Sequence, residues 1–436
     1  MRRKLSTIEQ VLDGNVVYFV RLNGTLTLDR LRSALSRVQG KHPALRALIR
    51  EERDGLYYEE NKAPEIPLRV VSRVSEDDWR RECQTELHTI FAYDQPQLRL
   101  VWLKSSERES DLLLTTSHRI CDGMSIFIIV KEVLRSLHSD EELVPYETPT
   151  LRDMIGGHQP AKPWAFRLKL FLMNLILGLI PNSRKTPENK EYHTEWKSDV
   201  ALLAALKRRC KAEGVSVHAA LAVTLERSLL AVLGRDKSPK WIDNPMDIRG
   251  GHFPALKNDT VFFAGGSFRL RIAEAQNVEF WMRARTVYEQ MREQIEQEMQ
   301  DIPGRFYLWE RLRSVTGTQI QTIVRMGDAL KLNGSWNLFA LSNLGNIVID
   351  DRDSPFIVKD LRIYMHSFTF RTLCLVTYTL HGEMRFYCVA DDKCLTHGQA
   401  TMLKQEFMKL LQFQVAQPEG REAENSNVLT AAAKSF

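Results

Sequence analysis

Ser117-His118-Arg119-Ile120-Cys121-Asp122-Gly123 is the heptapeptide of this chain whose residue types and spacing could do chemistry. A neutral imidazole, with a pKa near about 6.5, accepts a proton from an alcohol or amine as that group attacks a carbonyl, so His118 is a candidate general base. Asp122, four residues on, has two readings: it fixes the loop through a cationic partner, or it caps the helix that follows. Gly123 permits close backbone approach. Ser117 is a weaker nucleophile candidate, because neighbours at a strand end point to opposite faces and a Ser-His-Asp triad needs them together. Cys121 has only His118 nearby in sequence to lower its pKa.

The elements around the heptapeptide place it on a strand-to-helix turn. Asp111 to Thr116 is short, apolar and threonine-ended, and reads as a strand; Ile126, Ile129, Val130, Val133, Leu134 and Leu137 mark one side of the helix that follows. Upstream, a strand at 16–20 feeds a helix at 28–38 that ends at His42-Pro43. Strands are expected at 56–58, 68–71 and 98–103, with a helix at 76–90. The second half repeats the mixture: helices near 200–210, 218–233 and 279–299, and strands at 262–263, 267–270, 338–341, 373–380 and 384–389. The pattern is α/β.

Prolines 145, 149, 160, 163, 181 and 187 crowd the middle of the chain and mark a crossover. The expected organisation is a first subdomain over 1–145, a crossover over 146–194, a second subdomain over 195–416 and a disordered tail over 417–436. Inside the crossover, Trp164 to Ile180 is almost uninterrupted apolar sequence, a little short to span a bilayer and carrying Arg167, Lys169 and Asn174. A buried or domain-bridging helix is the plainer reading. A lipid-facing helix in peripheral contact with a membrane, or the wall of a greasy substrate channel, is the alternative.

Composition narrows the function classes. With 436 residues, 44% hydrophobic and 26% charged, the chain has material for large cores, which excludes collagen-like and wholly disordered readings. A net charge of +5 dispersed along the chain argues against nucleic acid; the cluster Lys207-Arg208-Arg209 reads as a solvated helix face. The six cysteines lack any CxxC or zinc-type spacing, so no metal is expected and a reducing cytoplasm fits best, with membrane association left to the apolar segment. No apolar signal core follows Met1-Arg2-Arg3-Lys4, since Glu9 and Asp13 interrupt it. The phosphate-loop, dinucleotide, GxSxG and HExxH patterns are absent.

SHRICDG after DLLLTT resembles the HHxxxDG motif of the chloramphenicol-acetyltransferase-like superfamily, which includes condensation domains, polyketide-associated acyltransferases, wax ester synthases and alcohol acyltransferases. Other segments agree in order along the chain. Leu5-Ser6-x-x-Glu9 resembles the family's opening, and Lys41-His42-Pro43-Ala44-Leu45-Arg46 its "rHPaLR" helix end. Pro245-Met246-Asp247-Ile248-Arg249 resembles "PvdlR", Asn258-Asp259 sits where an Asn is common, and Leu341-Ser342-Asn343-Leu344-Gly345 resembles "SNlG". Ser117 stands where the motif has its first histidine, and the plant branch's DFGWG is absent.

The resemblance implies two chloramphenicol-acetyltransferase-like α/β sandwiches forming a pseudo-dimer around a central tunnel. It implies His118 as the catalytic base and Asp122 pairing with Arg249 as structural support, next to Gly123. Ser342 and Asn343 become candidates for oxyanion or substrate contacts, with a turn as their plainer role. The implied activity is transfer of an acyl group from a thioester to a hydroxyl or amine acceptor, on a lipid or natural-product substrate. Acyl-CoA or a phosphopantetheinyl acyl or peptidyl carrier protein would serve as co-substrate, with no further cofactor. A non-catalytic acyl-binding or partner-recruiting relative is the alternative.

Overall fold

The computed structural model describes residues 2–12, 14–52, 55–105, 108–180, 190–250, 253–263, 265–272, 278–316, 319, 322–323, 326, 337–349, 354–366 and 371–417. In the first half, β1 (Arg2–Lys4), α1 (Thr7–Val11), β2 (Asn15–Gly24), α2 (Leu28–Lys41), β3 (Leu48–Glu52) and β4 (Gly55–Glu59) lead to β5 (Leu68–Ser72), α3 (Asp78–His88), β6 (Leu98–Lys104), β7 (Glu109–Ser117) and α4 (Gly123–Ser136). The middle carries α5 (Leu151–Ile155) and α6 (Pro163–Leu179). The second half runs β8 (Glu191–Lys197), α7 (Val200–Ala212), α8 (Val217–Leu233), β9 (Trp241–Met246), β10 (Gly266–Arg271) and α9 (Phe280–Trp309). It closes with β11 (Asn337–Asn346), β12 (Phe356–Met365), β13 (Arg371–Leu380), β14 (Glu383–Asp391) and α10 (His397–Ala416). The tail expected to be disordered lies, from residue 418, outside the described residues.

Two large sheets organise the chain. The first has the order β12-β2-β7-β6-β5 and the second β10-β9-β11-β13-β14-β8, while β1, β4 and β3 form a small sheet. In β2 successive side chains serve both faces: Phe19 packs on Trp79 of α3, with ring centroids 4.5 Å apart, while Tyr18 reaches the start of α4. The second sheet is likewise buried on both sides. Leu373, Leu375, Phe386 and Cys388 join its own helices, whereas Cys374, Val376, Tyr378, Tyr387 and Val389 join the core of the first half. The sheet's alternation therefore welds the two sandwiches together.

Several expectations need correction. β12 was not anticipated, and it pairs with β2, carrying a strand of the second half into the first sheet. A register shift between Val358 and Asp360 breaks the strict alternation that would mark it. Phe262 and Phe263 are buried yet lie in a loop, held by side chains rather than by a sheet. Arg209 of the basic cluster is buried, paired with Glu213 and set over the Trp281 ring at 5.3 Å. All six cysteines are free thiols.

The apolar segment in the crossover does form a helix, α6, but no side chain of it is buried. The buried-helix reading is thereby overturned. The segment is apolar around most of the helix, so its hydropathy does not mark an inner face.

Candidate active site

His118 follows β7 directly, and its backbone N–H donates to the Gly14 carbonyl (2.9 Å) at the foot of β2. That bond ties the imidazole-bearing residue to the sheet. The ring is half-buried beside Phe263, centroids 5.9 Å apart, with Nδ1 turned inward. Burial lowers its pKa below the usual 6.5, partly opposed by backbone hydrogen bonds and the Asp122 charge, so the imidazole is neutral at physiological pH. Cys121, fully buried with its thiol pushed up to about 12 by burial, is inert as a nucleophile. Ser117 is buried as well.

Both readings of Asp122 hold at once. As the N-cap of α4 its Oδ1 accepts from the Ser125 N–H (2.8 Å), and the two carboxylate oxygens each take a nitrogen of Arg249 at 2.9 Å. Arg249, with 1% of its side chain exposed, is saturated: it also donates to Asp247, Ser125 Oγ and the carbonyls of Thr260 and Phe262. Burial alone would raise the Asp122 carboxyl, but the Arg249 guanidinium and the Ser125 hydrogen bonds hold it below the ordinary range. Its oxygens face the guanidinium and the helix end.

Ser342 and Asn343 lie on β11, opposite Val376 and Thr377 of β13. The strand departs from its register between Asn343 and Asn346, where the Asn343 Oδ1 accepts from Gly345 N (3.0 Å) and Gly345 takes a φ of 72°. The neighbouring Leu344 reaches the start of α4: a Cβ built on Gly123 would stand 3.4 Å from its Cδ2. The element is thus brought to the His118 loop through Leu344, while the Asn343 side-chain Oδ1 is occupied in the turn. Protein packing does not demand glycine at 123, since that separation is ordinary contact and its φ is not positive.

A second set of groups ties the same segment of the second half to the first. Lys41 Nζ lies 2.6 Å from both Glu132 and Asp259; His42 bonds Glu132 through Nε2 (2.6 Å) and Tyr146 through Nδ1 (2.9 Å); the Tyr146 hydroxyl accepts from Val261 N (2.8 Å). Arg249, Asp259 and Val261 therefore latch this part of the second half. A small cleft opens beside it, bordered by Ile120, Val261, Phe262, Tyr58 and Pro149. His118 is not among the residues that line this cleft.

No family model matches the chain. It is 29% identical over 226 residues to the hybrid PKS-NRPS synthetase thnA of Trichoderma harzianum, an alignment covering 47% of this chain and 6% of that protein. The first condensation domain of the calcium-dependent antibiotic synthetase superposes with a TM-score of 0.66 at 14% identity, over 96% of this chain and 98% of that one. The chain has the fold of a condensation domain. The TRI3 trichothecene 15-O-acetyltransferase of Fusarium sporotrichioides superposes comparably, with a TM-score of 0.67 at 12% identity over 94% of this chain and 95% of that one.

In this condensation-domain fold, sequence reasoning missed Ser125 and Tyr18. Ser125 Oγ accepts from Arg249 and from Phe262 N, and Tyr18 donates to the Gly123 carbonyl at 3.0 Å. The spacing Asp122-x-x-Ser125 is a capping spacing, so Ser125 was within reach of the sequence; Tyr18 looks like any core aromatic. A further polar group lies where α3, β8 and the end of β12 meet. His88, Glu191 and His366 bring ligand-type atoms within 4.8 Å of one another, the only such trio found among the described residues. Glu191 already accepts from His193 (3.1 Å) and His366 (3.1 Å), with His88 of α3 farther off at 3.7 Å, so the trio is a polar clasp centred on Glu191.

Proposed function

We propose that this chain is an acyltransferase of the condensation type, moving an acyl group from a thioester to a hydroxyl or amine. The observation that carries the reading is the half-buried His118 at the β7–α4 junction, on a loop held by the Asp122–Arg249 pair. Nδ1 is turned inward, and this reading assigns the acceptor's proton to Nε2. As the acceptor oxygen or nitrogen attacks the thioester carbonyl, its proton passes to the imidazole. Collapse of the tetrahedral intermediate breaks the carbon–sulfur bond, and the imidazolium returns the proton to the departing thiolate. The products are an ester or amide and a free thiol.

Asp122 has no part in the proton transfer in this scheme; it is a positioning residue acting through the loop. General base catalysis supplies about 10²–10⁴-fold, so alignment of donor and acceptor must supply much of the remainder. The donor thioester is on coenzyme A or on a carrier protein; the relationship to synthetases favours testing both. The test is thiol release from a panel of acyl-CoAs and acyl carrier proteins with pooled alcohols and amines, and mass spectrometry of the products. Acceptor-dependent release that disappears in His118→Ala is expected. Equal release from both proteins would identify an acyl-binding relative, and release independent of acceptor would identify a thioester hydrolase.

A further inference from the structure

Trp164, Leu168, Phe171, Leu175 and Leu179 recur along α6 at helical spacing, and all are exposed, Trp164 to 71% and Leu179 to 75%. Leu172 and Ile176, also exposed, widen the stripe to an arc of about 140° at roughly 100° per residue. The opposite side belongs to the protein. Phe166 meets Tyr307 with centroids 5.2 Å apart, Asn174 bonds the backbone of Arg311 and Arg313 (3.3 and 2.6 Å), and Gln319 caps the Ile180 carbonyl (2.9 Å). The helix is pinned by its polar edge with its apolar face outward.

A contiguous apolar stripe in water is costly and calls for a cover. Its surroundings say which one. From Pro160 to Ile180 there is no acidic residue, Arg167 and Lys169 flank the stripe on its two sides, Lys162 precedes the helix, and exposed Arg313 lies against Gly178 at the far end. Among the described residues, Lys162, Arg167 and Lys169 are in no ion pair. At 17 residues, α6 is about 25 Å long, short of the roughly 30 Å hydrocarbon core, and no single described helix is long and apolar enough to cross a membrane. An apolar band edged by cations suits an interface whose interior is hydrocarbon and whose surface is anionic.

We propose that α6 docks this protein in the plane of an anionic lipid bilayer, its apolar stripe in the acyl boundary and its flanking cations among the headgroups. The proposal does not rest on the catalytic reading, because binding is read without turnover. The test is flotation of the full chain with vesicles of phosphatidylcholine alone or with roughly one quarter phosphatidylglycerol.

Wild type is expected to float with the anionic vesicles, and Phe171→Glu/Leu175→Glu to lose at least about tenfold in affinity with an unchanged thermal melt. Arg167→Gln/Lys169→Gln should lose about tenfold on anionic vesicles only, and high salt should do the same to wild type. Should the glutamate variant misfold, quenching of wild-type tryptophan fluorescence by brominated lipid, diminished in Trp164→Phe, reads the same contact. Wild type that stays in solution with both vesicles overturns the proposal. So does self-association through this face, seen as a wild-type dimer and a monomeric glutamate variant without vesicle binding.

Discussion

Lys41 places its ammonium 2.6 Å from Glu132 and 2.6 Å from Asp259, so one buried cation joins a helix of the first half to a loop of the second. The two carboxylates are unequal. Glu132 is nearly buried and also holds His42, while the Asp259 side chain is half exposed. Removing Glu132 takes the buried carboxylate from Lys41 and His42 together and leaves Lys41 only the half-exposed Asp259; removing Asp259 leaves Lys41 with its buried partner. Glu132→Ala should therefore cost about 3–5 kcal/mol and Asp259→Ala about 1 kcal/mol or less, measured by chemical denaturation. Equal losses would show that the latch is governed by its exposed end.

Arg249 offers a sharper division of labour. Asp122→Ser retains a side-chain oxygen for the cap of α4 and loses the ion pair, whereas Asp122→Ala loses both. Stability losses of about 3–5 kcal/mol from breaking the Asp122–Arg249 pair are expected in either variant, with about 1 kcal/mol more in the alanine. Arg249→Met should resemble Asp122→Ser, and the double variant should lose less than the sum. A purely additive cycle would mean the pair is not coupled.

In the proposed reaction the acid side of the pH–rate profile should report His118. Because burial lowers its pKa, the base form persists to pH values below 6.5, and kcat/KM should fall only beneath that value as the imidazole is protonated. His118→Ala should reduce turnover by about 10²–10⁴-fold with little change in melting temperature. A variant profile with the same acid inflection as wild type would assign the titration to another group.

Glu191 should govern acid stability. Burial would raise its carboxyl, but the hydrogen bonds from His193 and His366 outweigh it and leave the group well below the ordinary range. A carboxyl whose folded pKa lies below its unfolded value near 4.5 stabilises the fold above that value and loses this contribution as pH falls through the folded one. Glu191→Gln is thus expected to lower the denaturation midpoint at pH 7, and the gap from wild type should close as pH drops below about 4.5. A gap constant across this range would remove Glu191 from the clasp.

Gly123 separates packing from substrate. Its absent Cβ would meet only Leu344, at ordinary contact distance, in the first turn of a helix, so Gly123→Ala should leave stability equal or raised by up to about 1 kcal/mol. A fall in turnover without loss of stability would place the substrate against that backbone. Loss of stability would show that Leu344 cannot yield.

Much of this was legible in the linear chain because it is local. The apolar strand 111–116, the stripe from Ile126 to Leu137 and the polar heptapeptide between them put His118 at a strand end and Asp122 at a helix start, since alternation and helical period depend only on near neighbours. The family resemblance supplied Arg249 as a partner 127 residues away, which spacing alone could not have done.

Tertiary structure decided what depends on which surfaces meet. That Lys41, His42, Tyr146 and Asp259 converge, that Phe262 is held by Ser125 instead of a strand, and that β12 crosses into the first sheet all follow from long-range contacts that leave no periodic trace. So does the orientation of α6: its residues are apolar around most of the helix, so hydropathy could not choose an inner face. Asn174, bonded to the chain after α9, made that choice and turned the remaining apolar stripe to the outside.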